Sequence, residues 1–407
     1  MKKFDIPQFY RSSFITKIKS YRNLKDPKKK DFRPTLLDFG PIRFYLARHF
    51  GFCYGVENAI EIAYQTIEKN PGKKIFLLSE MIHNPGVNED LNNLGVQFIM
   101  DTSGKNLVEW DELNESDIVI IPAFGTTLEI ENILNKKGID PYRYNTTCPF
   151  VEKVWNRSES LGDENYTVII HGKHSHEETR ATFSHSIKSG QSIIVKDISE
   201  AKKLGSVILN ETDPDLFYKH FEGKYSEGFD IKSDLERVGV VNQTTMLATE
   251  TQEIADYIKG VMIKKFGADN LKDHFADTRD TLCYATNDNQ EATHGLLNVE
   301  SDLTIVIGGY NSSNTGHIVE LCEEKLPTYF ISSAEKILSP TEIKHYNIRN
   351  KKEVITENYL PDSPQINISL TSGASCPDAI VEEVLKKILA FFSNTKKVDE
   401  VVTEVLS

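Results

Sequence analysis

Val238-Gly239-Val240-Val241 runs directly into Asn242-Gln243-Thr244-Thr245, and the stretch from Met246 to Lys264 follows. The first four residues are apolar without alternation, which suits a strand of a parallel sheet covered on both faces. The next four are short and polar. From Met246 to Lys264, Leu247, Ile254, Tyr257, Ile258, Val261 and Met262 fall on one helical face. Strand, polar turn and amphipathic helix in that order make one α/β step. Working outward, similar apolar runs occur at Ile75-Phe76-Leu77-Leu78, Ile118-Val119-Ile120-Ile121, Val168-Ile169-Ile170, Ile305-Val306-Ile307 and Ile366-Asn367-Ile368-Ser369-Leu370. Strand–helix alternation over such a length implies an α/β architecture.

The turns after these strands are rich in hydroxyls, amides and imidazoles. They include Ser79-Glu80-Met81-Ile82-His83-Asn84, Ala123-Phe124-Gly125-Thr126-Thr127, the stretch His171 to Glu178, Asn311-Ser312-Ser313-Asn314 and Thr371-Ser372-Gly373-Ala374-Ser375. One such turn is ordinary helix capping. Many of them, in a chain with neither a P-loop nor a GxGxxG, suggest one shared polar pocket at the carboxyl ends of the strands.

Composition narrows the classes. The 407 residues include 47 Lys+Arg and 60 Asp+Glu, a net charge of −13. This argues against a general nucleic-acid binder, which needs clustered positive charge. No apolar run approaches a membrane span, and the basic start Met1-Lys2-Lys3 leads into no apolar signal region. Five well-separated cysteines make no disulfide framework and point to a reducing, cytoplasmic setting. Residues 1–33 hold 11 Lys/Arg against 3 Asp/Glu and read as a solvated basic arm.

Three cysteines share a context. Cys53, Cys148 and Cys283 each stand where a strand-end loop meets a helical pattern, with Pro149 well placed at a first helical position. A helix N-terminus favours the thiolate, the form that ligates metal. Three such thiols suit either buried structural positions or three corners of a cubane iron–sulfur cluster. Cys322 and Cys376 read as packing residues.

At these residues the chain resembles the 4-hydroxy-3-methylbut-2-enyl diphosphate reductases, the IspH/LytB family, in its longer plant- and cyanobacterial-like form. The matching motifs are Gly51-Phe52-Cys53-Tyr54-Gly55-Val56, Glu80-Met81-Ile82-His83-Asn84-Pro85, Asn145-Thr146-Thr147-Cys148-Pro149, His176-Glu177-Glu178, Asn242-Gln243-Thr244-Thr245, Thr281-Leu282-Cys283-Tyr284-Ala285-Thr286, Asn311-Ser312-Ser313-Asn314 and Ser372-Gly373-Ala374-Ser375. They occur in family order from about residue 42 to 389.

The resemblance implies three α/β units with parallel-sheet cores in a pseudo-threefold trefoil around a central 4Fe–4S cluster. Cys53, Cys148 and Cys283 would be its ligands, leaving the fourth iron open to substrate. On this basis residues 1–41 form an N-terminal extension, 42–147 the first unit, 148–282 the second with an insertion near 205–237, 283–395 the third, and 396–407 a tail. The implied activity is reductive dehydroxylation of an allylic diphosphate, the last step of the methylerythritol phosphate route to isoprenoids. A monomer fed by reduced ferredoxin or flavodoxin is implied, with no nucleic-acid or membrane partner. His83, His176, Thr244, Ser312, Ser313, Asn314 and Ser375 would line the substrate pocket. Glu178 would supply the proton, with Thr244 as its relay and His176 beside them.

The chemistry needs such parts. Hydroxide is a poor leaving group, so it requires a Lewis acid and a proton donor. Ser312-Ser313-Asn314, at a helix start, can hold a diphosphate without lysines. Locally, however, Glu177, Glu178 and Arg180 read as a solvated helix start. Phe124 stands where shorter bacterial members carry a pocket histidine. The 205–237 insertion, with Glu211, Asp213, Asp215, Glu222 and Glu227, reads as a surface elaboration. A quinolinate-synthase-like dehydratase and a non-catalytic iron–sulfur sensor are the competing readings. Neither accounts for His176-x-Glu178 together with Thr244 and the Asn311–Asn314 turn.

Overall fold

The Val238–Asn242 strand is fully buried and lies inside a four-stranded sheet. Its order is Ser192–Val195, Thr167–His171, Val238–Asn242, Phe275–Ala276, and every pairing is parallel. Burial on both faces explains the unbroken apolar runs. A Cβ at Gly239 would stand 3.0 Å from the Leu161 methyls, tighter than ordinary packing. The following helix spans Ala248–Phe266 and buries Ile254, Ile258, Val261 and Met262. Met246 stays in the turn, its N–H bonded to the Gln243 carbonyl. The helix therefore begins two residues later than the apolar spacing suggests.

This computed structural model describes residues 4–277, 281 and 283–407. Met1, Lys2 and Lys3 of the basic arm, and Leu282 of the third cysteine motif, lie outside the described residues. The chain divides into two compact units. One comprises the residues up to Glu57, His83–Gly86 and Tyr284–Ser407; the other comprises Asn58–Ile82 and Val87–Cys283. The second unit holds the four-stranded sheet and a three-stranded parallel one, ordered Gln97–Phe98, Ile75–Leu77, Ile118–Ile120. The first unit holds a five-stranded sheet, ordered Thr35–Asp38, Ile42–Leu46, Ile366–Ser372, Leu303–Ile307, Thr328–Ile331. Only its Thr35–Asp38 edge is antiparallel. The architecture is thus α/β with several parallel-sheet cores. All six apolar runs named above are strands. The antiparallel hairpin Glu342–Asn347/Lys352–Glu357 was not anticipated.

Two expectations are corrected. The basic arm is not simply solvated. Its helix Ile15–Lys25 buries Ile15 and Ile18, and with Phe14 these join the core formed by Leu37, Phe50 and Leu385. Lysines dominate the composition, and Lys17, Lys25, Lys28 and Lys30 are exposed. The 205–237 insertion is not merely a surface elaboration either. Its five acidic residues are exposed, yet Phe217, Phe221, Phe229 and Leu235 are buried in the core of the four-stranded sheet. Phe217 and Phe221 lie four residues apart, so both rings leave one face of a helical turn. Among the described residues no helix is long and apolar enough to cross a membrane.

Candidate functional site

In the second unit, the strands Thr167–His171 and Val238–Asn242 are adjacent and parallel, with His171 opposite Asn242. Their carboxyl-end turns therefore emerge side by side. The first turn leads into the helix Glu177–Ser186, whose N-cap is His176. The His176 Nδ1 accepts from the Glu178 N–H at 3.2 Å. A neutral ring whose Nδ1 accepts carries its proton on Nε2. The second turn carries Thr244. The Glu178 carboxylate accepts from the Thr244 hydroxyl at 2.9 Å and from its backbone N–H at 2.5 Å. Glu178 is 1% exposed. Gln243 braces the pair, its Oε1 accepting from the Thr179 hydroxyl at 3.0 Å and from Lys173 N–H at 3.2 Å. The structure thus brings His176, Glu178 and Thr244 together.

The solvated appearance of this helix start is corrected as well. Glu177 and Glu178 are both buried. Glu177 accepts from the Ser79 hydroxyl, and Arg180 donates to the carbonyls of Thr102 and Ser103. The Phe124 ring stands edge-on to His176 at 5.8 Å, an apolar neighbour rather than a hydrogen-bonding one.

Two of the three singled-out cysteines belong to this unit. Cys148 is the N-cap of the helix Pro149–Asp163, with proline at the first position, and its N–H is bonded to the Ala123 carbonyl at 3.0 Å. Cys283 directly precedes the helix Tyr284–Leu296. Its loop is tethered by Thr281, whose hydroxyl donates to Asn242 Oδ1 at 2.6 Å. The turn bearing Thr244 therefore also anchors the Cys283 loop. Thr281 and Asn242 lie inside quoted motifs, but their spacing does not show that they meet.

The first unit carries the remaining residues. The Ser312 side chain caps the helix Ser313–Glu323 by accepting from Thr315 N–H. Asn314 Oδ1 accepts from Ala374 N–H at 2.9 Å, and the Ala374 carbonyl accepts from Cys53 N–H at 3.2 Å. The Ser375 hydroxyl donates to the His83 carbonyl at 3.1 Å, while Asn84 Nδ2 donates to the Ser375 carbonyl at 2.9 Å. One hydrogen-bonded knot therefore joins Cys53, His83, Asn314 and Ser375. Asn84, not singled out from the sequence, closes it. Ser313 Oγ and Asn314 Nδ2 are buried and find no hydrogen-bond partner among the described residues. Unmet buried polar groups at a helix N-terminus suit an anionic ligand. Asn314→Ala is expected to weaken diphosphate binding by about 1–3 kcal/mol. Titration calorimetry with the diphosphate and its monophosphate analogue checks this, and unchanged affinity for both would refute the contact.

The thiols divide into two classes. None of the five is in a disulfide. Cys322 and Cys376 are fully buried, and burial pushes each thiol up to about 12. They stay protonated and pack. Cys53, Cys148 and Cys283 instead sit immediately before helices, where the helix dipole favours a thiolate. That donor set fits an iron–sulfur group, whose ligands are cysteine thiolates. Among the described residues no three His, Cys, Asp or Glu side chains lie close enough together to hold a single metal ion.

Comparison with known proteins identifies the family. The family model described as LytB protein matches residues 44–389. A 4-hydroxy-3-methylbut-2-enyl diphosphate reductase of Microcystis aeruginosa is 42% identical over 359 residues, covering 88% of this chain and 87% of the relative. The reductase of Gloeothece citriformis is 44% identical over 358 residues, covering 87% and 86%. Among solved structures, an (E)-4-hydroxy-3-methyl-but-2-enyl diphosphate reductase, described as the terminal enzyme of the non-mevalonate pathway, is similar at 28% identity and a TM-score of 0.52. That match covers 85% of this chain and 99% of the other. The Plasmodium falciparum enzyme, at 22% identity with a TM-score of 0.62 over 85% and 87%, shows the same fold. With a family model spanning most of its length and such relatives on either side, the chain belongs to the LytB family of 4-hydroxy-3-methylbut-2-enyl diphosphate reductases.

Proposed function

We propose that the protein reduces (E)-4-hydroxy-3-methylbut-2-enyl diphosphate to isopentenyl and dimethylallyl diphosphate, taking up two electrons and two protons and releasing the C4 hydroxyl as water. Family membership supports the reaction. The observation that carries the chemistry is the buried Glu178–Thr244 pair.

Cys53, Cys148 and Cys283 hold a 4Fe–4S cluster. Bound there, the cluster supplies single electrons and a Lewis-acidic iron. The rest falls to the chain. Ser312, Ser313 and Asn314 bind the diphosphate, with Ser375 and His83 held beside them by the first unit's hydrogen bonds. His176 donates to the substrate from Nε2, its Nδ1 being occupied by the Glu178 N–H. Glu178 carries the proton for the leaving hydroxyl. When protonated, its carboxyl donates along the 2.9 Å line to the Thr244 hydroxyl, which passes its own proton onward. Burial of both side chains keeps bulk water from intercepting that proton. Electrons come from a reduced ferredoxin or flavodoxin, and the protein works as a monomer.

The test is anaerobic turnover of the allylic diphosphate with reduced methyl viologen as donor. Two donor electrons are expected per molecule of isopentenyl or dimethylallyl diphosphate formed. Substrate loss without donor oxidation would mark a dehydratase instead. No substrate loss by protein with its cluster assembled would overturn the activity.

A further inference from the structure

We infer that Lys19 is a positioning residue that ties the Cys53 loop to the Ser375 loop, an inference resting on the roles proposed above for those two residues. Lys19 lies on the helix Ile15–Lys25, ahead of the family-matched region that opens at residue 44. Its ammonium donates to the Phe50 carbonyl at 2.7 Å and to the Asp378 carboxylate at 2.5 Å. It also stands 4.0 Å from the centre of the Phe50 ring. Phe50 precedes Cys53 by one helical turn's worth of chain, and Asp378 follows Ser375 by as much. One cation therefore grips both loops.

Gly51 shows how closely they meet. Its φ is +79°, a conformation that favours glycine. A Cβ there would stand 2.2 Å from the Asp378 carboxylate and 2.8 Å from the Lys19 ammonium. The backbone leading to Cys53 thus runs directly over the ion pair. Beyond it, Cys53 N–H reaches the Ala374 carbonyl, so the two loops are joined on both sides of Gly51. Asp378 is the first residue of the helix Asp378–Leu389, where the helix dipole favours a carboxylate. The lysine and aspartate side chains are 24% and 18% exposed, which shields the pair from salt better than an open surface pair.

This tie differs from the apolar docking of the same helix. Phe14, Ile15 and Ile18 already bury it in the core. Lys19 adds two directional polar bonds, one to the loop that ends in Cys53 and one to the helix start that follows Ser375. Groups that orient ligands from one shell out commonly affect metal retention and activity by tenfold or more.

The experiment compares full-length, anaerobically reconstituted wild type, Lys19→Met, Lys19→Arg and Asp378→Asn. Methionine keeps the apolar stem and removes the charge; asparagine keeps the shape and removes the anion. Folding is read by denaturant midpoint, the cluster by the electron paramagnetic resonance line shape of its reduced form, and retention by the rate of iron loss to a chelator. Lys19→Met and Asp378→Asn are expected to lose iron roughly tenfold faster, with an altered line shape. Lys19→Arg is expected to restore part of the retention. The double variant Lys19→Met/Asp378→Asn should be little worse than Lys19→Met alone, because that change already removes the Lys19–Asp378 contact. Wild-type line shape and iron-loss rate in either folded single variant would overturn the inference alone. A wild-type protein that takes up no cluster would overturn the cluster assignment and this inference with it.

Discussion

Cys148→Ser is expected to leave the protein without its brown absorbance and without reductase activity, while Cys322→Ser keeps both. The difference lies in the position of the two thiols. Cys148 caps the helix Pro149–Asp163, so the helix dipole favours its thiolate, and its backbone is fixed by a bond to Ala123. A serine hydroxyl there stays protonated at neutral pH and is a poor iron ligand. Cys322 is fully buried with its thiol pushed up to about 12, so replacing it removes packing and no donor. Cys53→Ser and Cys283→Ser should behave like Cys148→Ser, and Cys376→Ser like Cys322→Ser. Visible absorbance and iron content after anaerobic reconstitution decide the matter. A full cluster in Cys148→Ser would remove Cys148 from the ligand set.

Glu178→Gln should assemble its cluster and bind substrate normally, yet turn over roughly 10²–10⁴-fold more slowly, the usual range for a lost general acid. The amide is close in size to the carboxyl. Its oxygen can still accept from Thr244 N–H, and its NH₂ can face the Thr244 hydroxyl, which rotates to accept. Geometry is therefore preserved and only the transferable proton is lost. Thr244→Val should cost less, since water can replace a missing hydroxyl in a relay. Single-turnover rates, measured with the cluster signal as a check on assembly, separate these outcomes. A Glu178→Gln rate near that of wild type would place the acid elsewhere, with His176 the next candidate.

Much of the fold is legible because its strands are buried on both faces. Val238–Val241 and Ile118–Ile121 are apolar throughout for that reason, and the polar turns after them mark the strand ends. The hairpin at 342–357 escapes notice because its strands are half-exposed and rich in charged side chains. In the candidate site, the cysteine positions can be read from helix-start signals. Glu178 cannot be read that way. Beside Glu177 and Arg180 it resembles a surface residue, and only the pairing of His171 with Asn242 brings Thr244 to it. Similarly, the arm's lysines outweigh Phe14, Ile15 and Ile18 in composition, though these three decide where the helix docks. Local pattern reports what a segment could bury; long-range register decides what it does bury.

The interleaving of the two units has a consequence for how the chain is made. The second unit draws its residues from Asn58 to Cys283, apart from the His83–Gly86 excursion, so nearly all of it has been synthesised before the first unit can close. The strand Ile42–Leu46 must wait for Ile366–Ser372, its parallel partner. At roughly 5–20 residues per second, that wait on the ribosome lasts some tens of seconds. During it, the loop carrying Cys53 lacks both Ala374 and Asp378, whereas Ala123 and Thr244, the partners of Cys148 and Glu178, have already been made. The amino-terminal thiol, first to emerge, thus waits longest for the residues to which its loop is hydrogen-bonded.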